Sequence, residues 1–168
     1  MMLNIEFQKA YAYEVIDYSF DRLSADLVSE IYLDGRVFSH FSERLIQKLF
    51  PELTRVDKKY FDYTRNGFTR RVENKTFTQR ELAFVPSSML GVGRKYDEEK
   101  FHEIADRTDY VIVDNSNFPH LKIVFDSGTN LIKRYPKGKV SKTKRQEFWA
   151  YYGETILIER FLNEKVAA

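Results

Sequence analysis

Asp62, Glu73 and Lys75 are the residues of this 168-residue chain whose types and spacing best support chemistry. They lie in a stretch rich in Phe, Tyr, Thr and Val on either side of Asn66-Gly67, the strongest short hairpin signal. With a two-residue turn there, Asp62 faces Arg71 and Phe61 faces Val72. Side chains alternate along a strand, so Glu73 shares the face of Arg71 one diagonal step from Asp62, and Lys75 continues that row. Phe61 and Val72 take the core side. Two carboxylates that close can share a hard divalent cation, and oxygen ligands with open water positions suit Mg2+. Phosphodiester hydrolysis needs its developing negative charge neutralised and a water made nucleophilic, and a carboxylate-held Mg2+ does both. A neighbouring lysine orients the water and stabilises the charged transition state. The competing reading is a surface hairpin whose acids pair with Arg71 and Lys75.

The tripeptide Asp/Glu-x-Lys is uninformative alone, since it begins at Asp57, at Glu73 and at Glu98. Only Glu73 falls on an expected strand with an aspartate across a hairpin. Asp62, ten intervening residues and then Glu73-Asn74-Lys75 resembles the motif of the PD-(D/E)XK nucleases. That superfamily includes type II restriction endonucleases, homing endonucleases, Holliday-junction resolvases and repair nucleases. Phe61 replaces the motif's proline, as it often is replaced in the family. The resemblance implies a restriction-endonuclease-like α/β core, a mixed sheet flanked by helices in the order α-β-β-β-α-β, across about residues 37–126. It implies that Asp62 and Glu73 bind Mg2+ and that Lys75 positions the attacking water. It also implies a glutamate on the preceding helix near the metal, for which Glu43 is the candidate. The activity implied is site-specific endonucleolytic cleavage of double-stranded DNA, as in a type II restriction enzyme. The alternatives are a homing or junction-specific nuclease and a non-catalytic nucleic-acid-binding protein. Double-strand cleavage needs two such sites, so a symmetric homodimer or higher homo-oligomer is expected.

Charge supports a polyanionic partner once it is divided along the chain. The total is only +2. Residues 13–34 carry six acids and one base, residues 54–80 eight bases and three acids, and residues 131–146 seven bases and no acid. The expected DNA contacts are Arg70, Arg71, Gln79, Arg80, Arg94 and Lys95, with a basic C-terminal segment over about 131–165. In that segment Lys133, Arg134, Lys137, Lys139, Lys142, Lys144 and Arg145 surround the turn sequence Tyr-Pro-Lys-Gly-Lys. Thr76, Thr78, Gln79 and Arg80 would continue the catalytic strand toward base edges. Tyr60, Tyr63, Phe68, Phe77 and Tyr135 are placed to stack on bases or, more often for such residues, to fill the core.

The chain has no cysteine, which excludes disulfides, zinc ribbons and a thiol nucleophile and fits a reducing compartment. His40, His102 and His120 are scattered. Gly91-Val92-Gly93-Arg94-Lys95 lacks the features of a nucleotide-phosphate loop and reads as a connector or a loop touching DNA phosphates. No apolar run approaches the ~18 residues of a membrane span, and the first residues lack a leader pattern, so a cytoplasmic protein is expected.

A single domain over residues 1–168 must position these groups. Ile16, Phe20, Leu23, Leu27 and Ile31 predict a helix ended by Gly35, within an N-terminal helical segment of about 10–50. Its acidic face would avoid DNA and serve a dimer contact. A second helix is expected over about 37–50, with Phe38, Phe41, Leu45 and Leu49 inward and Pro51 as its stop. Asp97 reads as the N-cap of a third. Strands are expected at about 110–113 and 121–125, and helix from about Ser141 to a break at Gly153. This order is α+β or mixed α/β and excludes an all-α bundle or a β-sandwich.

Overall fold

Of the five α-helices among the described residues, the first four begin at a side-chain cap in the computed structural model, which describes residues 3–16, 18, 20–58, 61–65 and 70–158. Strand β1 (Ala10–Glu14) precedes helix α1 (Ala25–Tyr32), whose N-cap Ser24 accepts from the Leu27 N–H. Helix α2 (Gly35–Leu49) is capped by Asp34, which accepts from the Arg36 N–H. Three strands follow: β2 (Leu53–Lys58), β3 (Phe61–Arg65) and β4 (Arg71–Phe77). After the short β5 (Glu81–Ala83), Asp97 caps helix α3 (Glu98–Asp106), as its position predicts. The long hairpin β6 (Thr108–Asn117) and β7 (His120–Ser127) leads to α4 (Gly128–Arg134), β8 (Lys139–Ser141), α5 (Arg145–Ala150) and β9 (Thr155–Leu157).

The strands form one mixed sheet in the order β2-β3-β4-β6-β7-β1-β9, with β5 and β8 attached beyond β4. Strands β2, β3 and β4 make an antiparallel meander, and α3 then crosses over so that β6 runs parallel to β4. Strand β6 is buried from Thr108 through Asn115 because the sheet is covered on both sides. Phe38, Ile46, Phe50, Tyr63, Val72, Val111 and Val113 pack on the face under α2. Phe77, Phe84, Phe101, Tyr110, Ile112, Leu131 and Phe148 pack on the other, under α3, α4 and α5. The chain is thus mixed α/β with a central sheet flanked by helices. No helix among the described residues is long and apolar enough to cross a membrane.

Several expectations are corrected. The N-terminal segment is not helical throughout: residues 10–14 form a strand against β7, and helix begins only at Ala25. Asp21 has φ +52°, which no helix accommodates, and Ser24 supplies the cap. Asp17 of the acidic stretch lies outside the described residues. The predicted stripe is exposed: Ile16, Leu23, Leu27 and Ile31 are each more than a third accessible, and Phe20 reaches 74%. On α2 the buried line is Phe38, Ser42 and Ile46, with Phe41, Leu45 and Leu49 half-buried beside it. Helix after Ser141 is limited to one short turn and α5, and the basic run is divided among α4, the connection holding Lys137, β8, that turn and the start of α5 at Arg145.

Candidate active site

The hairpin register differs from the expected one by two residues. Tyr63 pairs with Val72 and Thr64 with Arg71, so the next step sets Asp62 across from Glu73 in place of Arg71. A two-residue slip keeps Asp62, Glu73 and Lys75 on one face, because the side-chain period is two. The core pair becomes Tyr63 and Val72, both buried, while Phe61 packs under the Arg71 guanidinium at 5.3 Å. The connecting residues, Asn66-Gly67 among them, lie outside the described residues, as do Lys59, Tyr60 and Phe68.

The ladder between β3 and β4 ends at the site. The Asn74 N–H donates to Asp62 Oδ2 at 2.7 Å, which anchors the carboxylate where the strands diverge. On the opposite face of β4 the Asn74 amide donates through Nδ2 to Ser42 Oγ at 2.7 Å and ties α2 to the sheet. Tyr63 donates its hydroxyl proton to the Glu43 carbonyl at 2.7 Å, a second tie between that helix and the β3–β4 hairpin. Lys75 Nζ lies 2.9 Å from Glu73 Oε1, with both side chains less than a quarter exposed. Glu43 is held by Arg55 on β2 at 3.3 Å.

These carboxylates influence one another. Burial pushes the Asp62 carboxyl up to about 6, Glu73 and then Glu43 reinforce the rise, and the Asn74 N–H and Lys75 oppose it. Burial likewise raises the Tyr63 hydroxyl, with the negative charges of Asp62, Glu43 and Glu73 adding to the effect. An oxygen-only pair of this kind suits a hard cation that keeps several of its waters, and a cation would relieve the like-charge repulsion on Asp62. Among the described residues, no group of three or more His, Asp or Glu side chains is arranged to hold a metal ion. The fit is therefore to two carboxylates, Asp62 and Glu73. Glu43 comes from the helix side, already paired with Arg55.

Glu73 and Lys75 open on a cleft of about 510 Å³ between the sheet and α3, lined also by Arg71, Arg94 and Lys100, with Ser87 and Ser88 on its wall. Arg94 arrives from the loop after β5 and bonds the Ser87 and Leu90 carbonyls, the latter at 3.0 Å. Lys100 was not singled out from sequence. Its only signal was the third Asp/Glu-x-Lys tripeptide, which placed it on a helix without saying that the helix faces Glu73.

The remaining basic residues divide into free and engaged. Lys95, Lys133, Lys137, Lys142 and Lys144 are exposed, and exposed Lys139 lies 3.6 Å from Glu81. Arg70 pairs with Asp109 at 2.9 Å and donates to the Asp106 carbonyl at 3.0 Å. Arg134 stacks 3.5 Å from the Tyr151 ring centre and donates to the Tyr152 hydroxyl. Arg145 pairs with buried Asp114 and lies over Phe77 at 4.2 Å. Strand β4 ends at Phe77, so Gln79 and Arg80 do not extend it: they occupy an exposed turn in which Thr78 Oγ1 accepts from the Arg80 and Glu81 N–H groups. Phe77 and Tyr63 are fully buried and Tyr135 is nearly so, which assigns them to the core. The basic segment beyond residue 158 lies outside the described residues.

No protein-family model, curated protein or solved structure matches the chain in comparisons with known proteins.

Proposed function

We propose that the protein is a Mg2+-dependent endodeoxyribonuclease of the PD-(D/E)XK type, cleaving double-stranded DNA as a homo-oligomer in the manner of a type II restriction enzyme. The observation that carries this reading is the meeting of Asp62, Glu73 and Lys75 on diverging strands, beside a cleft whose other charged side chains are cationic. The order α2-β2-β3-β4, then α3-β6 after the short β5, with β4 and β6 parallel, supports it as well, since apart from β5 it follows the α-β-β-β-α-β order that the motif implies.

Asp62 and Glu73 would hold the ion, which supplies Lewis acidity and a water of lowered pKa. The Asn74 N–H keeps Asp62 aimed while the carboxylate stays ionised at neutral pH. Lys75, drawn to Glu73, presents its ammonium where an attacking water and the charged phosphoryl oxygens would lie. Arg71, Arg94 and Lys100 bind the phosphate backbone entering the cleft. Glu43 adds negative potential from α2.

The test is plasmid nicking with and without Mg2+. Metal-dependent cleavage should fall by about a thousandfold or more in Glu73→Ala and in Lys75→Ala. Cleavage that survives both substitutions would overturn the site. The second reading, a non-catalytic DNA-binding protein, is favoured by the pairing of Glu73 and Glu43 with basic side chains. It predicts salt-sensitive binding without cleavage.

A further inference from the structure

Val92 is the most exposed large apolar side chain among the described residues, with its full reference area accessible. It sits at the tip of a tight turn closed by the Arg94 N–H donating to the Gly91 carbonyl. Gly91 and Gly93 on either side have φ of +103° and +78°, a backbone that L side chains rarely adopt, and nothing approaches within 4 Å of a Cβ built at either position. The turn is nevertheless braced from below: Arg94 reaches back to the Ser87 and Leu90 carbonyls, and Met89 beneath is buried. A fixed stalk therefore holds one apolar group out into solvent. Basic side chains lie on either side of the loop that carries it. Arg94 and Lys100 belong to the cleft that contains Glu73 and Lys75, while Lys137 and Lys139 line a second hollow of about 480 Å³ with Gly91, Tyr96 and the acid Glu98, Lys139 lying 3.6 Å from Glu81.

An isolated apolar tip with basic side chains on either side of its loop is suited to a duplex groove. Phosphates on either strand would meet the cations while the apolar group meets base edges or slips between bases, as wedge residues do in proteins that bend DNA. We propose that Val92 is a wedge that unstacks one base step of duplex DNA beside the cleft, carried on the 91–96 loop. This rests on the nuclease reading for the nature of the ligand. It adds a specificity element to it, because pyrimidine–purine steps unstack most easily and should be preferred at the wedge.

The experiment uses the full chain without divalent ions and short duplexes carrying 2-aminopurine at successive positions beside TA or CA steps. Wild type should raise the probe's fluorescence at one position, Val92→Ser should abolish the rise, and Val92→Leu should keep it. Val92→Ser should bind an unmodified duplex about tenfold more weakly, and this difference should vanish on a duplex with an unpaired base at that step, where nothing remains to unstack. The substituted side chain touches nothing in the fold, so stability should not change. Binding with no rise at any position, or a rise that persists in Val92→Ser, would overturn the wedge and leave the nuclease reading standing. A rise lost in Val92→Ser in a protein that never cleaves with Mg2+ would uphold the wedge and sink the nuclease. The lack of salt-sensitive duplex binding would overturn both.

Discussion

Asp62 is where chemistry and stability oppose each other. Its carboxyl is raised from an ordinary 3.8 to about 6, so the folded state holds the proton more tightly than the unfolded chain. Stability from this group is complete below pH 3.8 and is lost as pH rises through 6. Above that, the ionised carboxylate costs on the order of 2 kcal/mol, and Asp62→Asn, which still accepts from the Asn74 N–H, should regain it. Melting temperatures should show the variant more stable than wild type at pH 7.5 and no more stable at pH 3.5. Millimolar Mg2+ should raise the wild-type melting temperature at pH 7.5 and not that of Asp62→Asn, by the ordinary coupling of ligand binding to folding. Equal pH dependence in the two proteins would show that Asp62 is not the strained group. The acid, its partner and the lysine were all legible in the sequence through residue type and period-two spacing. The raised affinity for protons was not, because it depends on how deeply β3 and α2 bury the carboxyl.

At the scale of elements, α3, which carries Lys100 into the cleft, meets α4 closely. A Cβ added at Gly128, the first residue of α4, would lie 1.9 Å from the Ala105 carbonyl oxygen near the end of α3, and 2.7 Å from that of Thr108. Neither backbone group can move without shifting α3 or the start of β6. Gly128→Ala should therefore destabilise the protein by about 3 kcal/mol, read by denaturant unfolding, and should weaken DNA binding by displacing Lys100 and the cleft wall. Unchanged stability would mean that this junction is looser than it looks. Strong local signals survive into the structure: the Asp97 cap, the extended character around Asp62 and Glu73, and α2 up to Pro51. The long N-terminal helix does not, since a 3.6-residue stripe from Ile16 to Ile31 is interrupted by Asp21 and restarted by Ser24. Periodicity reports which residues would share a face if the chain were helical and carries no term for the pairing of residues 10–14 with β7.

Across the whole molecule, the charge runs resolve into cations that are available and cations that the fold consumes. Arg134 is enclosed by Tyr135, Phe148, Tyr151 and Tyr152 near fully buried Asp126, so removing it leaves an acid short of a partner. Arg134→Ala should lower stability by about 2 kcal/mol and leave the salt dependence of DNA binding unchanged. Lys142→Ala and Lys144→Ala should do the reverse, each reducing the slope of log affinity against log salt by about 0.9 without altering the melting temperature. A slope unaffected by the lysines would remove this turn from the proposed DNA-binding face. The acidic N-terminal segment presents an apolar stripe with Asp26 and Glu30 exposed beside it.

What the sequence by itself determined was local and periodic: a mixed α/β chain, the paired acids with a lysine on one face of a hairpin, and the two basic stretches. Only the tertiary structure decided the register that sets Asp62 across from Glu73, the arrival of Lys100 and Arg94 at the same cleft, and the withdrawal of Arg70, Arg134 and Arg145 into ion pairs and aromatic stacks. The reason is range. Caps, turns and strand alternation act over a few residues and are written in adjacent positions. The charge an arginine meets and the burial a carboxyl suffers come from segments distant in sequence, which only packing brings together.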